Sequence, residues 1–246
     1  MSKTVAIVLA AGKGTRMKSD LPKVLVPVLG RPMIEYVLDA LRAGGVEQII
    51  VVVGYRSDLA REQLGRHKDV SFVEQTEQLG TGHAVMMCKA ALAGHTGPVI
   101  VVAGDSPMLQ SDSVARLLAE YAAARPACIL GTTHKEDPTG LGRIVRDAAG
   151  AFVGIVEQKD ATPQQQAIRE VNMSTYLFDG PALLHALDQL KADNAQREYY
   201  LTDCPGILRA EGKDVRALAV LKPVEALSIN TVDELGVVEA ALRARG

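Results

Sequence analysis

Between Val8 and Lys23 the chain reads VLAAGKGTRMKSDLPK, two glycines followed by cations and closed by Pro22-Lys23. Glycines let successive backbone amides turn toward an anion and approach it closely. Lys13, Arg16 and Lys23 add charge at set spacings, enough donor capacity for a triphosphate. Two common phosphate motifs fail against this stretch. A P-loop needs GxxxxGK[ST], but Lys13 stands between the glycines. A dinucleotide fingerprint needs a third glycine where Met17 stands, too bulky for close helix-to-strand contact. Ser19-Asp20-Leu21-Pro22 also prevents a clean helix from opening after the glycines. A longer, looser anion-binding loop remains.

Other residues could complete a site around such a loop. Asp105 follows the apolar run ending Ala103-Gly104, and carboxyl ends of parallel strands are where open sheets bind ligands. It reads as a metal ligand, or as the N-cap of a helix begun after Pro107. Mg²⁺ takes one or two protein oxygens and keeps several waters, so one partner for Asp105 suffices. Gln75, just past a strand-like run, can donate and accept in one plane against a base edge, or can be a surface residue. Gly80-Thr81 offers amides that could close over a base. Glu157 and Lys159, two apart in the second run that follows Ala148-Ala149-Gly150, share one face of a strand. There they could serve sugar hydroxyls and a phosphate, or form a cross-strand ion pair. The five histidines (67, 83, 95, 134 and 185) are scattered and form no triad or metal set, so none is assigned a catalytic role.

Positioning such residues requires a scaffold, and the hydrophobic rhythm supplies one. Short β-branched runs at Val5–Leu9, Gln48–Val53, Val70–Gln75, Val99–Ala103 and Ala127–Thr132 alternate with helix-length apolar-periodic segments. The segments are Met33–Ala43, Leu59–Gly65, Gly82–Ala93 and Ser113–Ala124. This predicts an α/β fold with a Rossmann-like, mostly parallel sheet and helices on both faces. After about residue 135 two alternating runs flank Ala148-Ala149-Gly150, predicting an antiparallel hairpin in a substrate-side extension. A helix-like stretch at 161–167, a strand at 171–178, a helix at 181–190, a strand at 215–221 and a last helix at 231–245 follow. The simplest organisation is one domain: a nucleotide-binding lobe to about 135, a second lobe to about 230, and a C-terminal helix.

Composition narrows the function classes. Lys plus Arg at 27 against Asp plus Glu at 29 gives a formal charge of −2, so no global basic field favours nucleic acid or a membrane surface. Cys88, Cys128 and Cys204 are odd in number, far apart and without a CxxC pair, the usage of reduced thiols in a cytoplasmic compartment. The apolar run after the N-terminus is too short for a signal segment.

The spacing Gly12-x-Gly14-x-Arg16, five residues, then Pro22-Lys23, directly after a strand, resembles the signature of the sugar-nucleotide pyrophosphorylases. EQLGTGHA (77–84), EDPTGLGR (136–143), GIVEQKDAT (154–162) and QREYYLTD (196–203) are similar to blocks of one branch. That branch is the uridylyltransferase domain of the bacterial bifunctional N-acetylglucosamine-1-phosphate uridylyltransferase/glucosamine-1-phosphate acetyltransferases. The resemblance covers essentially the whole chain and implies the nucleotide-diphospho-sugar transferase fold and a reaction joining UTP to N-acetylglucosamine 1-phosphate. It implies Mg²⁺ held by Asp105 and Asn230, the latter otherwise a simple cap for the last helix. It assigns Arg16 and Lys23 to the reacting phosphates. The nucleotide falls to Leu9, Ala10, Ala11, Gly12, Gly14, Gln75, Gly80, Thr81 and Gly104, and the sugar side to Ala103, Gly142, Glu157, Lys159 and Asn172. The acetyltransferase β-helix of that branch is absent from the sequence, so a monomer or weak dimer is expected. Two departures flank the sugar side: the family carries tyrosine where Ala103 stands, and Thr-Gly where Met173-Ser174 stands.

Overall fold

The structure, a computed structural model, describes residues 2–17, 19–194 and 196–245. Its strands are β1 (Val5–Ala10), β2 (Pro27–Val28), β3 (Arg31–Pro32), β4 (Gln48–Val53), β5 (Val70–Glu74), β6 (Pro98–Ala103), β7 (Cys128–His134), β8 (Arg143–Arg146), β9 (Phe152–Val156), β10 (Glu170–Asp179) and β11 (Val215–Leu218). The helices are α1 (Met33–Ala43), α2 (Ser57–Leu64), α3 (Thr81–Met86), α4 (Ser111–Ala124), α5 (Pro163–Gln166), α6 (Gly180–Gln189), α7 (Asp203–Ala210) and α8 (Val232–Arg245). The principal sheet runs β11-β7-β10-β6-β1-β4-β5, and the β8–β9 hairpin attaches to the start of β10 through Val171 and Arg143. Along that path only β10 runs against its neighbours, so the expected mostly parallel α/β sheet is what forms.

Alternation along β1 explains why both faces are covered. Val5 and Ile7 point into one apolar layer with Val85 of α3, Leu183 and Leu187 of α6, and Leu208 of α7. Ala6, Val8 and Ala10 point into the other, against Ile34 and Leu38 of α1, Leu64 of α2 and Leu117 of α4. Each fully buried Val, Leu or Ile contributes roughly 1.5–3 kcal/mol relative to exposure. A third cluster joins Met17, Val28, Met33, Met108 and Ile229 to Val238 of α8. It anchors the glycine-rich segment and the C-terminal helix to the same end of the molecule.

Several expected boundaries shift for identifiable reasons. The helix expected over Gly82–Ala93 ends at Met86, because beyond it the chain tightens into three-residue turns such as Cys88 N to Val85 O and Lys89 N to Met86 O. Only four residues of the 161–167 stretch become helix, capped by Thr162, and β11 stops at Leu218. Helix α7 carries no sequence signal, since Pro205-Gly206 reads as a turn. In the first helical turn, however, proline sacrifices only an N–H that would lack a helical partner anyway. The three cysteines are buried free thiols. Burial pushes Cys88 and Cys204 up to about 12 and Cys128 well above its ordinary value, which leaves them unreactive. No helix among the described residues is long and apolar enough to cross a membrane.

Candidate active site

The chain leaves β1, winds outward through β4 and β5, then returns to β6 on the other side of β1. The carboxyl ends of β1 and β6 therefore frame a topological switch point, where open α/β sheets bind ligands. The glycine-rich loop leaves β1 here, Gly104-Asp105 leaves β6, and Gln75 follows β5. Gly104 N donates to Leu9 O at 2.9 Å, which clamps the two strand ends together and aims Asp105 into the crevice.

Four polar side chains from distant parts of the sequence meet there. The Lys23 ammonium is ion-paired with Asp105 and donates to Asn230 Oδ1 at 2.8 Å, while Arg16 donates to the same Asn230 oxygen at 3.2 Å. Lys23 and Asp105 are largely sheltered, with side chains 13% and 25% exposed. Neither carboxylate nor amide is spent on a helix cap. Helix α4 begins at Ser111 after Gln110, well beyond Asp105. At α8, Glu234 N donates to Thr231 Oγ1 and Glu234 Oε2 accepts from Asn230 N and Thr231 N, while Asn230 Nδ2 donates to Ser228 Oγ, which leaves the Asn230 side-chain oxygen to the cluster. Ile229 N, donating to Asp105 O, ties that segment to the end of β6. Asp105 and Asn230 thus present two hard oxygens to one point, the position of Lys23 Nζ. That donor set suits Mg²⁺, which completes its shell with water and phosphate oxygens.

The glycine-rich loop lies alongside. Residues 15–17 make only one turn of 3-10 helix, as the break at Ser19–Pro22 implies. Among the described residues the amides of Gly12, Lys13 and Gly14 donate to no protein acceptor, the arrangement of an anion-binding nest. Lys13 does not join the cluster; its ammonium lies 5.3 Å from the centre of the Tyr55 ring. Gly14 has φ +64°, and a β-carbon there would stand 2.5 Å from Lys23 Cβ. Gly14→Ala is expected to displace Lys23 and lower turnover at least tenfold, with left-handed strain costing about 1–2 kcal/mol of stability. Steady-state kinetics and a thermal melt check both effects.

A cavity of about 510 Å³ is lined by Leu9, Ala10, Ala11, Gly12, Gly14, Arg16, Lys23, Gln75, Gly80, Thr81, Ala103 and Asp105, among others. Every nucleotide-side residue expected from the sequence except Gly104 borders it, and Gly104 sits directly behind. Gln75 is buried, unlike a strand-end surface residue, and donates Nε2 to the Gly80 carbonyl at 3.1 Å. Gly80 has φ +99° and lies against Tyr199, where a β-carbon would come within 2.6 Å of the carbonyl oxygen. Tyr199 N donates to Leu79 O, Gly82 N to Tyr199 O, and Leu201 N to Thr81 Oγ1. Residues 199–201 therefore strap the 79–82 turn in place.

A second cavity, of about 780 Å³, adjoins the first through Leu9, Thr81, Ser174 and Tyr200. Glu157 and Lys159 line it, but they do not share a strand face. Strand β9 ends at Val156, and Asp160 N closes a turn on Glu157 O at 3.0 Å. Gln158 Oε1 accepts from Arg143 and from Gly140 N, which holds that turn against the preceding loop. Gly142 lies against Glu157 and beside Asn172: a β-carbon on Gly142 would lie 3.3 Å from Glu157 Oε1 and 3.6 Å from Asn172 Cβ. Asn172 is fixed by donating Nδ2 to the Tyr176 hydroxyl at 2.8 Å.

The register of β10 on β7 shifts between Asn172 and Thr175, and Ser174 there has φ +50°. The bulge turns Ser174 to the cavities and sends Met173 against the core. Asn194, Gln196 and Tyr200 also line the second cavity. They lie in or beside the QREYYLTD block, but nothing in the local residue pattern marks their roles.

Comparison with known proteins was consistent along the chain. The family described as MobA-like NTP transferase domain matches residues 6–203. A bifunctional protein GlmU of Listeria monocytogenes serotype 4a is 44% identical over 241 residues, 98% of this chain and 52% of that protein. The bifunctional protein GlmU of Pelobacter propionicus is 41% identical over 245 residues, 100% of this chain and 53% of its own. That of Pelotomaculum thermopropionicum is 42% identical over 240 residues, 98% and 52% respectively. The chain spans about half the length of the curated relatives it matches.

Proposed function

From the premise that this chain belongs to the MobA-like NTP transferase domain family and is a nucleotidyltransferase, we propose that it joins UTP to N-acetylglucosamine 1-phosphate. The products are UDP-N-acetylglucosamine and pyrophosphate. The observation that carries this reading is the cluster of Arg16, Lys23, Asp105 and Asn230 at the first of two adjoining cavities, three of the four lining it. One cavity suits a nucleoside triphosphate, and the other, lined by Glu157, Lys159 and amide side chains, suits a polyhydroxylated acceptor.

In this reading a phosphate oxygen of the sugar phosphate attacks the α-phosphorus in line. The new O–P bond forms as the α–β bridge breaks, and pyrophosphate leaves with the bonding electrons. The nucleophile is ionised at neutral pH, so no side chain has to remove a proton. Positioning and charge neutralisation dominate such transfers. Lys23, held by Pro22 and Gly14, stabilises negative charge growing around the α-phosphorus. Arg16 presents a planar fork to the departing pyrophosphate, and the amides of residues 12–14 cradle it. The Gln75 amide and the Gly80-Thr81 turn hold the base, while Glu157 accepts from sugar hydroxyls. Mg²⁺ held by Asp105 and Asn230 would supply further neutralisation of phosphate charge. Three buried free thiols suit work in a reducing compartment such as the cytoplasm, on small-molecule substrates.

Pyrophosphate release across four nucleoside triphosphates and a panel of phosphate acceptors tests the proposal. UTP with N-acetylglucosamine 1-phosphate is expected to give the highest kcat/KM. A preference for CTP, or no turnover with that acceptor, would sink it. UTP binding with no pyrophosphate from any acceptor would mark a sensing module instead. Ala103, expected on the sugar side, lines the first cavity and not the second, so it favours no alternative acceptor, and the panel tests acceptor choice directly.

A further inference from the structure

Gln75 is 3% exposed, and its amide is held from two sides: Nε2 lies 3.1 Å from the Gly80 carbonyl and 3.1 Å from Nδ1 of His83. Amide nitrogen and oxygen are told apart by their partners, and here the partners decide. A carbonyl can only accept, so the group facing Gly80 is the NH₂. The other amide hydrogen then points to His83 Nδ1, which must be the bare ring nitrogen, with the ring proton on Nε2. Both donors of Gln75 are consumed inside the protein. Its Oε1 meets no protein donor among the described residues, and the oxygen is the group left to offer to the cavity that Gln75 lines.

His83 is itself restrained. Its ring stacks on Tyr199 with centroids 6.3 Å apart and planes 29° from parallel, and Gly82 N is bonded to Tyr199 O at 2.8 Å. The strap that fixes the 79–82 turn thereby also fixes the imidazole. On the uridylyl reading given above, we infer that His83 is a positioning residue for base selection. By taking one amide hydrogen of Gln75 it keeps Oε1 turned toward the base. Oε1 then accepts from the N3–H of uracil and opposes the N3 lone pair of cytosine. A flipped amide would present NH₂ instead and lose this discrimination. The flip would also break both bonds and set Oε1 against the Gly80 oxygen.

Dissociation constants for UTP and CTP, measured calorimetrically in Mg²⁺, test this without reference to turnover or to the sugar. Wild-type protein is expected to favour UTP. His83→Leu fills similar space but removes the acceptor, and is expected to reduce the UTP-over-CTP ratio by roughly five- to tenfold, the worth of one hydrogen bond. His83→Asn places an amide oxygen near the position of Nδ1 and is expected to restore the ratio to within about twofold, which also separates acceptor chemistry from shape. A UTP-selective wild type whose H83L variant keeps its ratio, or an H83N variant that loses as much as H83L, would overturn the assignment of His83 alone. A wild type that prefers CTP would overturn the uridylyl reading and this inference together.

Discussion

Lys23→Ala is expected to lower kcat by about 10²–10³-fold, some 2.7–4 kcal/mol, the loss that follows removal of one preorganised donor at developing charge. The ammonium is sheltered, and Gly14 packs against its stem, which keeps the side chain at the site when Asp105 and Asn230 turn to a metal ion. Its orientation is therefore set before any charge develops. A group so placed gains most when negative charge peaks, so the variant should lose kcat and kcat/KM together. A change confined to KM would mark Lys23 as a uniform phosphate binder. Truncation removes no core contact, and a melting temperature within a few degrees of wild type would show that the loss is catalytic.

Asp105→Ala is expected to remove metal-dependent turnover, a loss on the order of 10³-fold if several kcal/mol of phosphate neutralisation go with it. Asp105 also pairs with Lys23, so the rate alone does not separate the two contributions. The metal titration does. Loss of a ligand raises the Mg²⁺ concentration needed for half-maximal activity, whereas a merely misdirected Lys23 leaves that concentration unchanged. Near-normal rates in Mg²⁺ would refute the metal assignment. The fold should survive, because Asp105 lies at a strand end and contributes no side chain to the three apolar clusters.

How much of this was legible in the sequence follows from how local each determinant is. The bounds of α1 and β4 are those read from periodicity, because α1 buries one stripe and β4 is covered on both faces. The phosphate loop and Asp105 could be read from strand ends and the carboxyl-end rule, which needs only the order of elements. Contacts between distant segments could not: Lys23 and Asn230 are 207 residues apart, and no spacing rule pairs them. Only the family resemblance pointed to Asn230. The turn at Glu157–Asp160 was misread because the alternation of Phe152–Val156 was carried on into residue types that strands disfavour, and the hold of Arg143 and Gly140 on Gln158 then fixes the turn. The bulge at Ser174 and helix α7 were hidden for a similar reason, each being a backbone choice stabilised by its neighbours.

The wall common to the two cavities is narrow: Leu9 from β1, Thr81 from the start of α3, Ser174 from the β10 bulge, and Tyr200 beside the strap. Four separate segments contribute one side chain each, and every segment is tied to the central sheet or to its neighbour. On the uridylyl reading, this partition is proposed to act as a fixed gauge for the diphosphate bridge that must reach from base to sugar. On the same reading, replacing a residue that lines only one cavity, as Ala103 lines the first, changes the fit at one end and leaves the gauge alone. On that reading the design separates two properties that could have drifted together: the identity of the groups at each end, set by residues lining one cavity, and the length of the molecule built between them, set by the residues the cavities share.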